Sequence, residues 1–292
     1  MKTTMSSSFL KNVGRNFVLL YKSNFKFKLG FTLILIIFIL GFAVSSFSPI
    51  NTRALYTVPK DQPPSFKYLL GTSSMGRDVF WELCASIGKS LTIALITALI
   101  ASHIGLFIGL ISGIKGGILD RLLMFISDTF IIVPGFLLLV VIISIIKSWI
   151  TVPLIGAIIS IVSWPWPARQ VRSMVLSLRE RTFVYTAKLS GMGTGKVLLF
   201  EIMPYIFGWH LVNFTNTILF SIGTESGLAI FGLSLLGDNT LGVMLYWALN
   251  YYALFRGIWW WITAPIVTLV LIFVSFYLVS TGLSEYLHRI MK

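Results

Sequence analysis

Two stretches of this chain, residues 29–49 and 258–283, contain no Asp, Glu, Lys or Arg. At about 1.5 Å of rise per helical residue, either can cross a hydrocarbon layer of roughly 30 Å. In lipid every backbone N–H and C=O must be satisfied internally, so such a run has to be a helix. Four further apolar runs complete a set of six segments: about 29–49, 90–114, 118–146, 152–168, 205–236 and 258–283. Composition agrees, with 56% hydrophobic and 11% charged residues, where soluble domains carry about 25% charged. The expected fold class is an all-α integral membrane protein of about six transmembrane helices. No small-residue cleavage pattern follows the run from Leu29, which reads as a retained anchor.

Three segments carry irregularities. The fourth ends at Trp164-Pro165-Trp166-Pro167, where two prolines prevent regular continuation and the tryptophans suit a membrane–water interface. Pro134-Gly135 predicts a kink in the third. The fifth is long for a straight span, and Gly223, Glu225 and Gly227 suggest a break or a strong tilt.

The net charge of +13 is a topology signal rather than a nucleic-acid footprint. All Lys and Arg residues except Arg53, Lys60, Lys67, Arg77, Lys89, Lys147 and Arg256 fall on the side of the two termini. Positive charge stays in the cytoplasm, so both termini are expected inside a multi-pass protein of the plasma or inner membrane. The chain then divides into an N-terminal tail (1–28), a first span (29–49), an extracytoplasmic loop (50–85), a five-span core (86–285) with an inner loop at about 169–204, and a C-terminal tail (286–292). Residues 8–21 fit either an amphipathic surface helix or a plain tail. Cys84 is the only cysteine, which leaves no internal disulfide and no expected structural metal.

Residues 191–197, GMGTGKV, superficially suggest a phosphate loop. Such a loop needs a glycine, four residues, then Gly-Lys-Ser/Thr between a strand and a helix. Here Ser190 occupies the glycine position, Val197 replaces the hydroxyl, and no strand is predicted before it. The flanking runs, FVYTAKL (183–189) and KVLLFEIM (196–203), are helix-like, and SGMGTG between them is a turn tolerant of left-handed backbone. Pro204 ends the second helix or starts the next span. Two short helices and a tight turn in the largest inner loop make a docking knob, with Lys196 a solvated cation.

FVYTAKLSGMGTGKVLLFEIMP resembles the EAA loop of ATP-binding-cassette importer permeases. Its core falls on Tyr185-Thr186-Ala187, its glycine on Gly191 and its proline on Pro204; Tyr185 stands where the family has glutamate, and Glu201 where it has histidine. LLGTSSMGRDVFWEL (69–83), SIGKSLTIALITALIASHIGLFIGLISGIKGGILDRLLMFISDTFIIVPG (86–135) and ESGLAIFGLSLLG (225–237) are similar to motifs of the peptide/nickel subfamily, in order and at matching spacing. Gly242 and Met244-Leu245 match the stretch that follows. The resemblance implies a type I importer permease fold in which Tyr185, Thr186, Ala187, Lys188, Gly191, Lys196, Glu201 and Pro204 form the ATPase-coupling element. It implies as partners a second homologous permease, two cytosolic ATPase subunits and an extracytoplasmic solute-binding protein, besides membrane lipid and with no nucleic acid. ATP and Mg would be bound by the ATPases, no cofactor by this chain, and the chain would do no chemistry of its own.

Gly105, Gly109 and Gly113 recur at a spacing that allows close helix approach, within the subunit or between subunits. Glu225 and Asp128 are acidic residues in or near apolar spans. Glu225 is the candidate for the translocation pathway or permease interface, while Asp128 suits pairing with Arg121 or capping backbone. His103 and His210 read as packed or interface residues. In the outer loop Gly71, Gly76, Arg77 and Asp78 define a compact turn, either a binding-protein docking surface or a structural plug. The solute is expected to be an oligopeptide or oligosaccharide, with nickel a minor option. The competing class is an ATP-independent secondary transporter or channel, which would need ion-coupling carboxylates or paired repeats. A membrane enzyme lacks a clustered nucleophile and base.

Overall fold

A computed structural model describes residues 18–146 and 149–290. Most of the segment 8–21, and the last two residues of the C-terminal tail, lie outside the described residues. Among the described residues the chain is helical with no named strand; an isolated bridge joins Thr72 and Asp78. The first long helix is α1 (Phe25–Phe47), which widens through a π turn at Ile39–Ala43 and then tightens into a 3₁₀ turn at its end. There follow α2 (Val79–Lys115), α3 (Gly117–Ile132), α4 (Gly135–Ile146), α5 (Val152–Ser163) and α6 (Pro165–Arg179). The remainder is α7 (Thr182–Leu189), α8 (Thr194–Ile230), α9 (Leu241–Asn250) and α10 (Trp259–Ile290).

Four of these, α1, α2, α8 and α10, are long and apolar enough to cross a membrane unaided. The third expected segment is the pair α3–α4, bent by 85° at Val133-Pro134. This is sharper than the kink the sequence predicts. The fourth falls on α5, which has only 12 residues and is prolonged by α6. Pro165 and Pro167 therefore do not stop the chain. They occupy the first turn of α6, where a missing N–H costs no intrahelical bond.

Helix α2 is the axis of the bundle. Its N-terminus is capped by Asp78, which accepts from the Phe80 and Trp81 amides at 2.9 and 3.4 Å. Gly105, Gly109 and Gly113 face α6 so closely that a Cβ on Gly109 would lie 2.5 Å from the Ala168 carbonyl oxygen. The small-residue stripe thus serves packing within the chain. Antiparallel α8 lies on another face of α2, joined by buried hydroxyls: Ser221 donates to Thr97 at 2.8 Å and Ser102 to Thr217 at 3.2 Å. Helices α1 and α10 also pair antiparallel, Gly30 against Ser275 and Gly282 against Phe27. Residues 25 and 286, the α2–α3 corner and 180–203 consequently share one end of the molecule. The loops 48–78 and 231–258 share the other. Among the described residues, the division of charges inferred from sequence follows this geometry.

Candidate functional site

The knob at the termini-side end is built as a capped helix. Helix α7 stops at Leu189, and Gly191 adopts φ +81°, a left-handed conformation that costs other residues energy. The Gly191 amide donates to the Lys188 carbonyl at 3.0 Å and the Met192 amide to the Ala187 carbonyl at 3.1 Å. These two bonds are the Schellman pattern that satisfies a helix C-terminus. Gly193 and Gly195 have open space around them and no left-handed backbone. One glycine of the run is demanded by geometry.

From the turn the chain does not form a second short helix. Thr194 opens α8, which runs on without a gap to Ile230. Pro204 sits inside this helix, where its ring would collide with a carbonyl one turn back, and residues Val197–Ile202 relax into a π turn just before it. The expectation that Pro204 ends one helix or begins another is thereby corrected. The expected break near Gly223, Glu225 and Gly227 is also absent, since α8 ends only at Ile230.

Buried Val184, Ala187, Val197, Ile202 and Ile206 pack with Leu106 and Leu110 of α2 and with Val171 and Val175 of α6. Phe183 stacks on Tyr205 with ring centroids 5.1 Å apart. The opposite side of the knob is exposed and apolar: Leu189 is 89% accessible, and Tyr185, Leu199 and Phe200 are also exposed. Thr186 turns its hydroxyl back to the Thr182 carbonyl, Lys188 and Lys196 are exposed, and Glu201 is half-buried.

A chain of polar contacts ties the knob to the bundle. The Tyr185 hydroxyl donates to Glu180 at 2.8 Å, and Arg179 donates to the other Glu180 oxygen at 3.1 Å and to the Gly113 carbonyl at 3.1 Å. The Tyr185 hydrogen bond, then that from Arg179, hold the Glu180 carboxyl below its ordinary value. Glu180 in turn pushes the Tyr185 phenol up. Two turns away along α6 Arg172 grips Asp120 through two bonds of 2.6 Å, and Ser112 of α2 donates to the same carboxylate. A forked guanidinium–carboxylate pair of this kind fixes orientation as well as distance. The Asp120–Arg172 link spans 52 residues of sequence, and sequence reasoning missed it.

Asp128 pairs with Arg169 at 3.0 Å, not with Arg121, because α3 lies antiparallel to α6 and turns Asp128 toward it. Glu225 is 1% exposed; one oxygen accepts from Ser234 at 2.9 Å and Thr240 at 2.7 Å. It fastens loop 231–240 to α8 from inside the chain, and lies on no outward-facing surface. His103 and His210 pack edge to face, 5.0 Å between centroids. In the outer loop Gly71 and Gly76 take positive φ, and Arg77 donates to Glu82 at 2.9 Å and to the Arg53 carbonyl at 2.7 Å. All four expected loop residues, Gly71, Gly76, Arg77 and Asp78, are buried. They shape the loop, whose outward surface is made by Leu55, Tyr56, Phe66 and Leu69.

An all-helical membrane protein with a helical knob beside its α2–α3 corner is the architecture of an importer permease. Residues 105–292 match the family described as "Binding-protein-dependent transport system inner membrane component", and the chain belongs to it, within its peptide/nickel branch. It is 30% identical over 241 residues to the oligopeptide transport system permease protein OppC of Lactococcus lactis subsp. cremoris, covering 82% of this chain and 80% of that one. It is 30% identical over 254 residues to the dipeptide transport system permease protein DppC of Alkalihalophilus pseudofirmus (85% and 82% covered). To the nickel transport system permease protein NikC of Escherichia coli it is 28% identical over 230 residues (78% and 82%).

Proposed function

We propose that this chain is one of two homologous permeases in an ATP-driven importer, that the imported solute is an oligopeptide, and that cytosolic ATPase subunits grip it at 182–203. The observation that carries the reading is the knob itself: a capped helix rooted in the bundle, presenting Tyr185, Leu189, Leu199 and Phe200 to solvent. Apolar side chains held rigidly outward at a loop tip mark a partner's seat. The excess of Lys and Arg at that end supports a cytoplasmic placement, with both termini inside. ATP and Mg belong to the partner subunits, a solute-binding protein delivers from the opposite face, and this chain hydrolyses nothing. The peptide assignment is supported by relatives named for oligopeptide and dipeptide transport.

Closure of the ATPases moves the knob, and the rooted helices carry that motion into the membrane as a two-state shift. The test is co-expression with candidate ATPase, permease and solute-binding-protein subunits, followed by reconstitution into vesicles. Leu189→Asp is expected to insert normally yet lose ATPase co-purification and peptide uptake. Full uptake by that variant, or ATP-independent uptake by the chain alone, would refute the proposal.

A further inference from the structure

Halfway along Met203–Ile230, where the surrounding surface is apolar, the exposed residue is Asn216. Its carboxamide oxygen accepts from Ser280 at 3.3 Å, and its amide nitrogen donates to no described group. The 28 residues of this part of α8 measure about 42 Å, longer than a hydrocarbon layer of roughly 30 Å, which puts Asn216 about 20 Å from either end and within the apolar span. A carboxamide there does not face hydrocarbon without cost; it faces a polar cavity or a partner. A cavity of about 220 Å³ is present, bounded by Ser163, Trp166, Asn213, Asn216, Thr217 and Phe220. Phe220 also bounds a second cavity of about 510 Å³, walled by Gly135, Phe136, Gly223 and Thr224.

Both helix discontinuities open onto this groove. Pro165 and Pro167 open α6 beside the first cavity, which Ser163, Trp166 and Pro167 line. The α3–α4 bend at Val133-Pro134 borders the second. Irregular backbone at membrane depth is tolerated where it is buried in protein or lines an aqueous space. The groove offers two carboxamides, hydroxyls and aromatic faces. No Asp, Glu, His, Lys or Arg lines either cavity, and among the described residues no cluster of three metal-ligating side chains exists.

We infer that the α8 groove from Asn213 to Thr224 is this chain's wall of the solute path, and that it holds its solute by uncharged hydrogen bonds and aromatic contact alone. Resting on the peptide-importer reading, this makes the wall indifferent to the charge of the passing side chains. The shared chemistry is that of an amide backbone, which Asn both donates to and accepts from. A hydrated divalent cation would find no ionised ligand here.

The test uses the complete reconstituted transporter and three tripeptides of net charge +1, 0 and −1. Asn216→Asp is expected to lower the ratio of anionic to cationic uptake about tenfold relative to the unaltered protein, since a carboxylate kept ionised by the water of the groove repels one and attracts the other. Asn216→Ala is expected to slow all three peptides by a similar factor. In a Cys84→Ala background, Asn216→Cys is expected to react with a hydrophilic methanethiosulfonate and to be protected by transported peptide. An unchanged uptake ratio in an assembled Asn216→Asp transporter overturns the inference. So does an Asn216→Cys thiol that never reacts, which assigns the groove to permease–permease packing. Absence of peptide uptake by the unaltered transporter would instead refute the proposed function.

Discussion

Replacing Gly191 by alanine isolates the one glycine that the knob requires. A Cβ at this position meets nothing within 4 Å, so the substitution brings no clash. Its effect is pure backbone strain: φ is +81°, and a non-glycine residue held left-handed costs about 1–2 kcal/mol. By the relation of 1.4 kcal/mol to a tenfold change, the capped turn should open roughly 5- to 30-fold more often. The amides that report this are Gly191 and Met192, bonded to Lys188 and Ala187 at 3.0 and 3.1 Å. Their hydrogen exchange, followed by mass spectrometry on the detergent-solubilised chain, should accelerate by that factor, while amides in α2 remain unchanged. Gly191→Asn should accelerate less, because asparagine tolerates the left-handed region better. Gly195→Ala, in the open first turn of α8, should be neutral or slightly stabilising. If Met192 stays as protected in Gly191→Ala as in the unaltered chain, or if Gly195→Ala is equally disruptive, the reasoning fails.

Three other perturbations follow from the same contacts. Gly109→Ala places a Cβ 2.5 Å from the Ala168 carbonyl and 2.6 Å from Val171 Cβ; overpacking of about 1–3 kcal/mol should lower the melting temperature in detergent, and an unchanged midpoint would refute the close α2–α6 approach. Arg172→Met should destabilise the chain more than Asp120→Asn plus Arg172→Met together, because the single change strands the Asp120 carboxylate; the midpoints of the two variants decide it. The Glu180–Tyr185 link is present above the unfolded carboxyl value of 4.5 and is lost as pH falls through the depressed folded value. It is equally lost as pH rises through the raised phenol value above 10.0. Proteolysis of residues 180–190 should therefore be slowest between those limits, and Tyr185→Phe should abolish the alkaline limb while only weakening the acid one, which Arg179 still supports.

The positions of the apolar segments, their common sidedness and the turn at Gly191 were legible because each follows from local chemistry: charge-free length, the distribution of Lys and Arg, and glycine beside a helix end. The continuity of α8 was not. Gly223 and Gly227 each weaken a helix by only about 1 kcal/mol, and packing on α2 through Thr97, Ser102, Thr217 and Ser221 outweighs them. Nor was the partner of Asp120 or Asp128 legible, since Arg172 and Arg169 meet them only once α6 lies antiparallel to α3. The groove did leave a signal in the sequence. Asn213 and Asn216, three residues apart, share one helical face and are the two carboxamides of this span.

The continuity of α8 also decides how motion would travel. With a break at 223–227 and a separate second helix in the knob, a pull at Leu189 would have to cross two hinges before reaching the membrane centre. In the observed fold Thr194 and Asn216 belong to one helix, about 33 Å apart by helical rise. The compliant element between them is the π turn Val197–Ile202, and it lies on the knob side of Pro204, pressed between α2 and α6 by Val197 and Ile202. Any tilt imposed at the knob must then appear at Asn216 and Phe220, the wall of the groove, while α2, held to α6 by its glycine stripe, moves with it or acts as the fulcrum. A flexible insertion of two glycines after Ile202 should accordingly leave partner binding at the knob intact and abolish uptake, whereas the same insertion at Gly193, outside the rigid helix, should be far milder. Equal transport by both insertions would show that the stroke reaches the groove by another route.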